Sequence, residues 1–111
     1  MNKLSLIFLC LSVTALAGPL DETRYCGDPV RLADGTIKRR ADVVRAFKQA
    51  HPCPVTAKST GACPGWQVDH VIPLVCGGCD MVTNLQWLPV EIKTAPGLVA
   101  KDRWEQRVYC R

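Results

Sequence analysis

The sequence predicts a small α+β domain stapled by disulfides, and three observations carry that expectation. A hairpin signal and one amphipathic helical run occupy the N-terminal half, and a strand, glycine-containing loop, strand and helix pattern occupies the C-terminal half. The first 17 residues have the layout of a secretory leader. Behind that leader stand six cysteines, an even set in a short exported chain, which suggests a disulfide framework.

The leader comprises Lys3, an apolar run from Leu4 to Val13, and Ala15-Leu16-Ala17 before Gly18. Cleavage after Ala17 is expected, leaving one domain over residues 18–111 in a secreted or periplasmic protein. The apolar run is shorter than the roughly 20 residues that span a bilayer, so no membrane segment is expected in the mature form. Cys10 follows Phe8 and Leu9, where a lipidation site would carry small residues. With 111 residues, 48% of them hydrophobic and 22% charged, the chain is neither disordered, collagenous nor a coiled coil.

Asp34-Gly35, between Val30-Arg31-Leu32 and Thr36-Ile37-Lys38, predicts a β-hairpin. From Arg40 to about Ala50, Val43, Val44, Phe47 and Ala50 recur at helical spacing and His51-Pro52 ends the pattern. Residues 52–65 form a loop punctuated by prolines and glycines. Trp66–Leu74 is a strand with Pro73 at its end, Cys76–Asp80 a tight loop, and Leu85–Leu88 a second strand. Pro89 opens a short helical turn, Pro96-Gly97 interrupts it, and Leu98–Tyr109 is a helix that buries Leu98, Trp104 and Val108. His51 caps carbonyls at the end of the first helix rather than binding metal.

Cys53 and Cys63 lie symmetrically in one loop and are expected to pair. Cys26 and Cys110, near the two ends, can staple them, which leaves Cys76 with Cys79. That four-residue loop is strained, and either of its cysteines can instead pair with Cys26 or Cys110. A zinc site built from Cys76, Cys79, Cys53 and Cys63 is disfavoured by an oxidising compartment.

The chemistry concentrates at Asp69-His70 and Asn84. Asp69 and the Asn84 side-chain oxygen are hard donors suited to Mg²⁺ or Mn²⁺, while His70, adjacent on a strand, points to the opposite face and stays off the metal. An imidazole titrates near neutrality and can take a proton from an attacking water. That combination describes phosphodiester cleavage.

The run CPGWQVDHVIPLVCGGCDMVTNLQWLP, with KDRWE downstream, resembles the small HNH-motif endonucleases, and the likeness spans about residues 52–105. The resemblance implies a ββα-metal core, His70 as general base, Asp69 as metal ligand, and Asn84 as a second ligand or as the brace of the loop. It also implies Mg²⁺, with Mn²⁺ or another divalent ion as substitutes. Many of these proteins carry a third motif residue, usually His, about nine positions after the Asn; Lys93 stands there and cannot ligate a metal while charged. Glu91 or Asp102 is the candidate replacement ligand.

Two basic clusters, Arg31 to Lys48 and Lys101 to Arg111, suit a polyanion within a formal net charge of +4, with Lys101 and Arg103 as candidate phosphate contacts. Trp66, Trp87 and Trp104 either stack on bases or anchor the core. The expected activity is metal-dependent endonucleolytic hydrolysis of DNA, with RNA as a further substrate and little sequence specificity. The competing readings are a nucleic-acid-binding protein that keeps the fold without the chemistry, and a disulfide-rich structural or inhibitor domain.

Overall fold

The computed structural model describes residues 22–94 and 101–110, with the side chains of residues 102 and 103 outside the description. The expected leader and the expected burial of Leu98 lie outside the described residues. Helix α1 spans Ala41–Ala50, strand β1 Trp66–His70, strand β2 Leu85–Pro89, helix α2 Val90–Thr94 and helix α3 Lys101–Tyr109. The whole is a small α+β arrangement around one two-stranded antiparallel sheet.

Helix α1 forms because Val43 and Phe47, four positions apart, give it one apolar stripe to bury. They meet Leu85 at the start of β2, with Val68, Val82 and Trp87 closing round them. Its N-cap, Arg40, has no side-chain cap of its own; instead its backbone N–H donates to Asp80 Oδ2 at 2.7 Å. At the other end His51 is the C-cap, its N–H bonding the Phe47 carbonyl and its own carbonyl accepting the Trp87 indole N–H at 2.7 Å. Trp87 is therefore a packing anchor, its ring 5.8 Å from Phe47.

The strands pair in register from Trp66 opposite Pro89 to His70 opposite Leu85. β1 ends at His70, four residues before the Leu74 that β-propensity predicts. Past that point Val71 N–H bonds the Asn84 carbonyl, and the chain leaves the ladder for two short 3₁₀ turns, Leu74–Cys76 and Val82–Asn84. The expected hairpin is reduced to a single bridge between Arg31 and Ile37 around the Asp34-Gly35 turn.

The loop between the strands is tightly built. Gly77 takes a left-handed φ of 93°, and a side chain at Gly78 would run into the Ile72 carbonyl. An N-terminal segment seals it from outside: Tyr25 bridges to Gly78, Cys26 N–H bonds the Gly77 carbonyl, and Cys79 N–H bonds the Arg24 carbonyl.

The disulfides are Cys53–Cys63, as expected, with Cys26–Cys79 and Cys76–Cys110. The Cys26–Cys110 and Cys76–Cys79 pairs are corrected to the alternative the sequence leaves open, in which Cys79 pairs with Cys26 and Cys76 with Cys110. The turn at Gly77 sends its two flanking cysteines in different directions, the buried Cys79 to the N-terminal segment and Cys76 to the end of α3. Two bridges thus bolt both ends of the domain to the one loop. The Tyr25 hydroxyl, donating to the Tyr109 carbonyl at 2.8 Å, reinforces that closure.

Helix α3 reverses its expected polarity. Trp104 and Val108 are exposed, at 37% and 59%, whereas Lys101 and Glu105 are buried. The reason lies opposite: β1 presents the buried carboxylate of Asp69 on that face, and a cation covers it better than an apolar side chain. No helix among the described residues is long and apolar enough to cross a membrane.

Candidate active site

Asp69 and His70 are adjacent at the end of β1, so their side chains leave the sheet on opposite faces. Asp69 faces α2 and α3, where the Lys101 ammonium pairs with Oδ2 and Lys93 Nζ stands 3.5 Å from Oδ1. Gln86, across the ladder, adds a weak contact to Oδ2 at 3.4 Å. Lys101 also pairs with Glu105, one helical turn along, and donates to the His70 carbonyl at 3.3 Å. One buried ammonium thus holds two buried carboxylates and the end of the strand together.

His70 faces the loop. Its Nε2 lies 3.0 Å from Asp80 Oδ1, with both side chains largely buried. A carboxylate only accepts, so Nε2 carries the donated proton and Nδ1 is left as the basic nitrogen. The other oxygen of Asp80 is fixed by the backbone N–H of Arg40. The imidazole orientation is consequently tied to the start of α1. His70 lines a cleft of about 170 Å³, together with Ile37, Arg39, Pro73, Leu74 and Glu105.

Asn84 is 0% exposed, and its amide is spent on the loop. Oδ1 accepts the Ile72 N–H at 2.9 Å, and Nδ2 donates to the carbonyls of Ile72 at 3.0 Å and Cys79 at 2.8 Å. Of the two roles the resemblance implies, the geometry matches the brace. As a metal ligand Asn84 would have to share an oxygen that already accepts the Ile72 N–H.

The other expected ligands fare no better. Glu91 is exposed on the first turn of α2, and the Asp102 side chain lies outside the described residues. Lys101, expected on phosphate, is 1% exposed and cannot reach one, and the Arg103 side chain lies outside the described residues. Among the described residues no group of three or more His, Cys, Asp or Glu is placed to hold a metal ion. Mg²⁺ keeps several waters but still needs one or two free carboxylates, whereas the one buried carboxylate at its expected place already faces two ammonium groups. As they stand, these residues do not fit the ion.

Sequence reasoning missed Asp80, Glu105 and Arg39 as site residues. The KDRWE run did hold Lys101 and Glu105 at i and i+4, the spacing of a helical ion pair, which was the one signal available for Glu105. Arg39 stood in the Arg31–Lys48 basic cluster but was not singled out, and Asp80 carried no signal, since only the fold brings either to His70. The rest of the Arg40 surface is ordinary: its guanidinium is paired with Asp42 at 2.6 Å, and that hydrogen bond holds the Asp42 carboxyl below its usual range and raises Arg40. No protein-family model, curated protein or solved structure matches this chain.

Proposed function

We propose that the chain hydrolyses phosphodiester bonds of DNA, and of RNA as a further substrate, with little sequence preference. The observation that carries this reading is the His70–Asp80 pair at the end of β1, set in a cleft beside Arg39. Three further features support it. The β1, loop, β2 and α2 order is the one that the HNH-like sequence run implies, with Asn84 bracing the loop. The residues flanking the cleft include a guanidinium, a good match for phosphate. The described residues form one small α+β unit around a two-stranded sheet, which favours backbone contacts over base readout.

In this mechanism a phosphodiester lies in the cleft, His70 Nδ1 takes a proton from the attacking water as its oxygen bonds to phosphorus, and the ester P–O bond on the far side breaks, the departing alkoxide taking a proton from solvent water. Asp80 holds the ring and stabilises the imidazolium that forms. The buried Lys101, Asp69 and Glu105 network keeps β1 and α3 in place, so that the cleft wall carrying Glu105 stays fixed. No step is assigned to a metal ion. We place this activity outside the cytoplasm, on the leader-like N-terminus and the three disulfides.

The test is nicking of a supercoiled plasmid by the oxidised protein, beside His70→Ala. Loss of about 10²- to 10⁴-fold in the variant, whose fold is checked by circular dichroism, is the expected result. Equal cutting by both proteins would refute the role of His70.

One observation favours a second reading. Lys93 takes the third motif slot and leans on Asp69, which suits a protein that binds nucleic acid without cutting it. Such a protein would retard DNA in a gel and leave it intact.

A further inference from the structure

We infer that the cleft handles its phosphodiester without a divalent ion, because Lys101 fills the cation place at Asp69 and Arg39 supplies the positive charge that faces the phosphate. This inference rests on the phosphodiesterase reading and departs from the metal that the sequence resemblance implies.

The first half follows from charge and burial. Asp69 and Glu105 are the two buried carboxylates of the site, and Lys101, itself buried, pairs with both. Lys93 adds a second ammonium beside the remaining Asp69 oxygen, its side chain 34% exposed. Two carboxylates are thus balanced by two ammonium groups. A divalent ion entering here would add two positive charges to a neutral cluster and displace Lys101 from its partners. An ammonium left buried and unpaired is costly, and Lys101 is 1% exposed, so it cannot simply exchange its partners for water.

The second half follows from position. Lys101 is too buried to touch a substrate, so the cleft needs another cation. Arg39 lines the cleft with His70, is exposed, and among the described residues its guanidinium has no hydrogen bond or ion pair. Its neighbour Arg40 is occupied by Asp42, which leaves Arg39 as the guanidinium facing His70. A planar fork of N–H donors matches two phosphate oxygens. Glu105, also on the cleft wall, does not repel the phosphate because Lys101 neutralises it.

The experiment uses the oxidised, folded protein with plasmid DNA and bis(p-nitrophenyl) phosphate, in EDTA and in Mg²⁺, together with Mn²⁺ titration followed by electron paramagnetic resonance. The expected result is equal cleavage in EDTA and Mg²⁺, no stoichiometric Mn²⁺ uptake, and a fall of at least about tenfold in kcat/KM for Arg39→Ala, whose fold is checked by circular dichroism. Arg39→Lys is expected to recover only part of that loss, since an ammonium lacks the fork. Cleavage that stops in EDTA and returns with Mg²⁺ overturns the inference and leaves the nuclease reading standing. Stoichiometric Mn²⁺ binding overturns it without reference to activity, and so does full activity of Arg39→Ala. Absence of cleavage under every condition, with His70→Ala indistinguishable from wild type, overturns the nuclease reading and this inference with it.

Discussion

Replacing Asn84 by Ala removes an amide that is 0% exposed and holds the loop at three points: the Ile72 N–H at 2.9 Å, the Ile72 carbonyl at 3.0 Å and the Cys79 carbonyl at 2.8 Å. Each bond is worth about 1 kcal/mol net, and a buried group left without a partner costs about 1–3 kcal/mol. With three bonds lost and the Ile72 N–H left without its partner in a buried place, the loss is expected to total about 3–6 kcal/mol. That is a large share of the roughly 5–15 kcal/mol that holds a domain together. Urea denaturation of the oxidised protein, followed by tryptophan fluorescence, measures it as a lower midpoint at unchanged slope. Asn84→Asp keeps the acceptor for Ile72 N–H but sets an oxygen against two carbonyls, and is expected to lose about as much. A loss under about 1 kcal/mol for Asn84→Ala would refute the brace, since a side chain that served only to hold an ion would leave the stability of metal-free protein nearly untouched.

Asp80→Asn is expected to lower kcat on plasmid DNA with little change in KM, because Asp80 acts through the orientation of His70; a KM effect alone would contradict that role. Removing the Cys76–Cys110 bridge by changing both residues to Ser is expected to cost about 2–4 kcal/mol and to speed amide exchange across Lys101–Tyr109 before β1 and β2, whereas uniform exchange would show that the bridge does not anchor α3 specifically. The Asp34 carboxyl lies below its ordinary range because the Thr36 hydroxyl and N–H donate to it, at 2.6 Å and 2.9 Å. A carboxyl depressed on folding stabilises the turn above the usual carboxylate range near about pH 4 and loses that contribution as pH falls through its folded value. Thr36→Val is expected to move the Asp34 titration upward by NMR, and an unchanged titration would exclude the hydroxyl as the main cause.

The sequence by itself determined the elements whose signals are local. The apolar stripe of α1, the starts of the two short strands and the Cys53–Cys63 loop all depend on residues close in the chain, and these stand where spacing puts them. Asp69 and His70 on opposite faces of a strand follow from the period of two alone. The tertiary structure decided whatever depended on partners distant in the chain. Beyond His70 the chain leaves the ladder where the Ile72 N–H turns to the Asn84 side chain instead of a partner strand, which no propensity encodes. Cys76 and Cys79, three residues apart, go to opposite ends of the domain because Gly77 turns the chain between them. α3 hides Lys101 and Glu105 and exposes Trp104 because a carboxylate, not an apolar surface, faces it from β1. Hydrophobic periodicity assumes that the buried face of a helix is apolar, and that assumption fails where a buried charge must be paired with its opposite. The same rule brought Lys101 to Asp69, so the feature hardest to read from the sequence is the one on which the proposed chemistry turns.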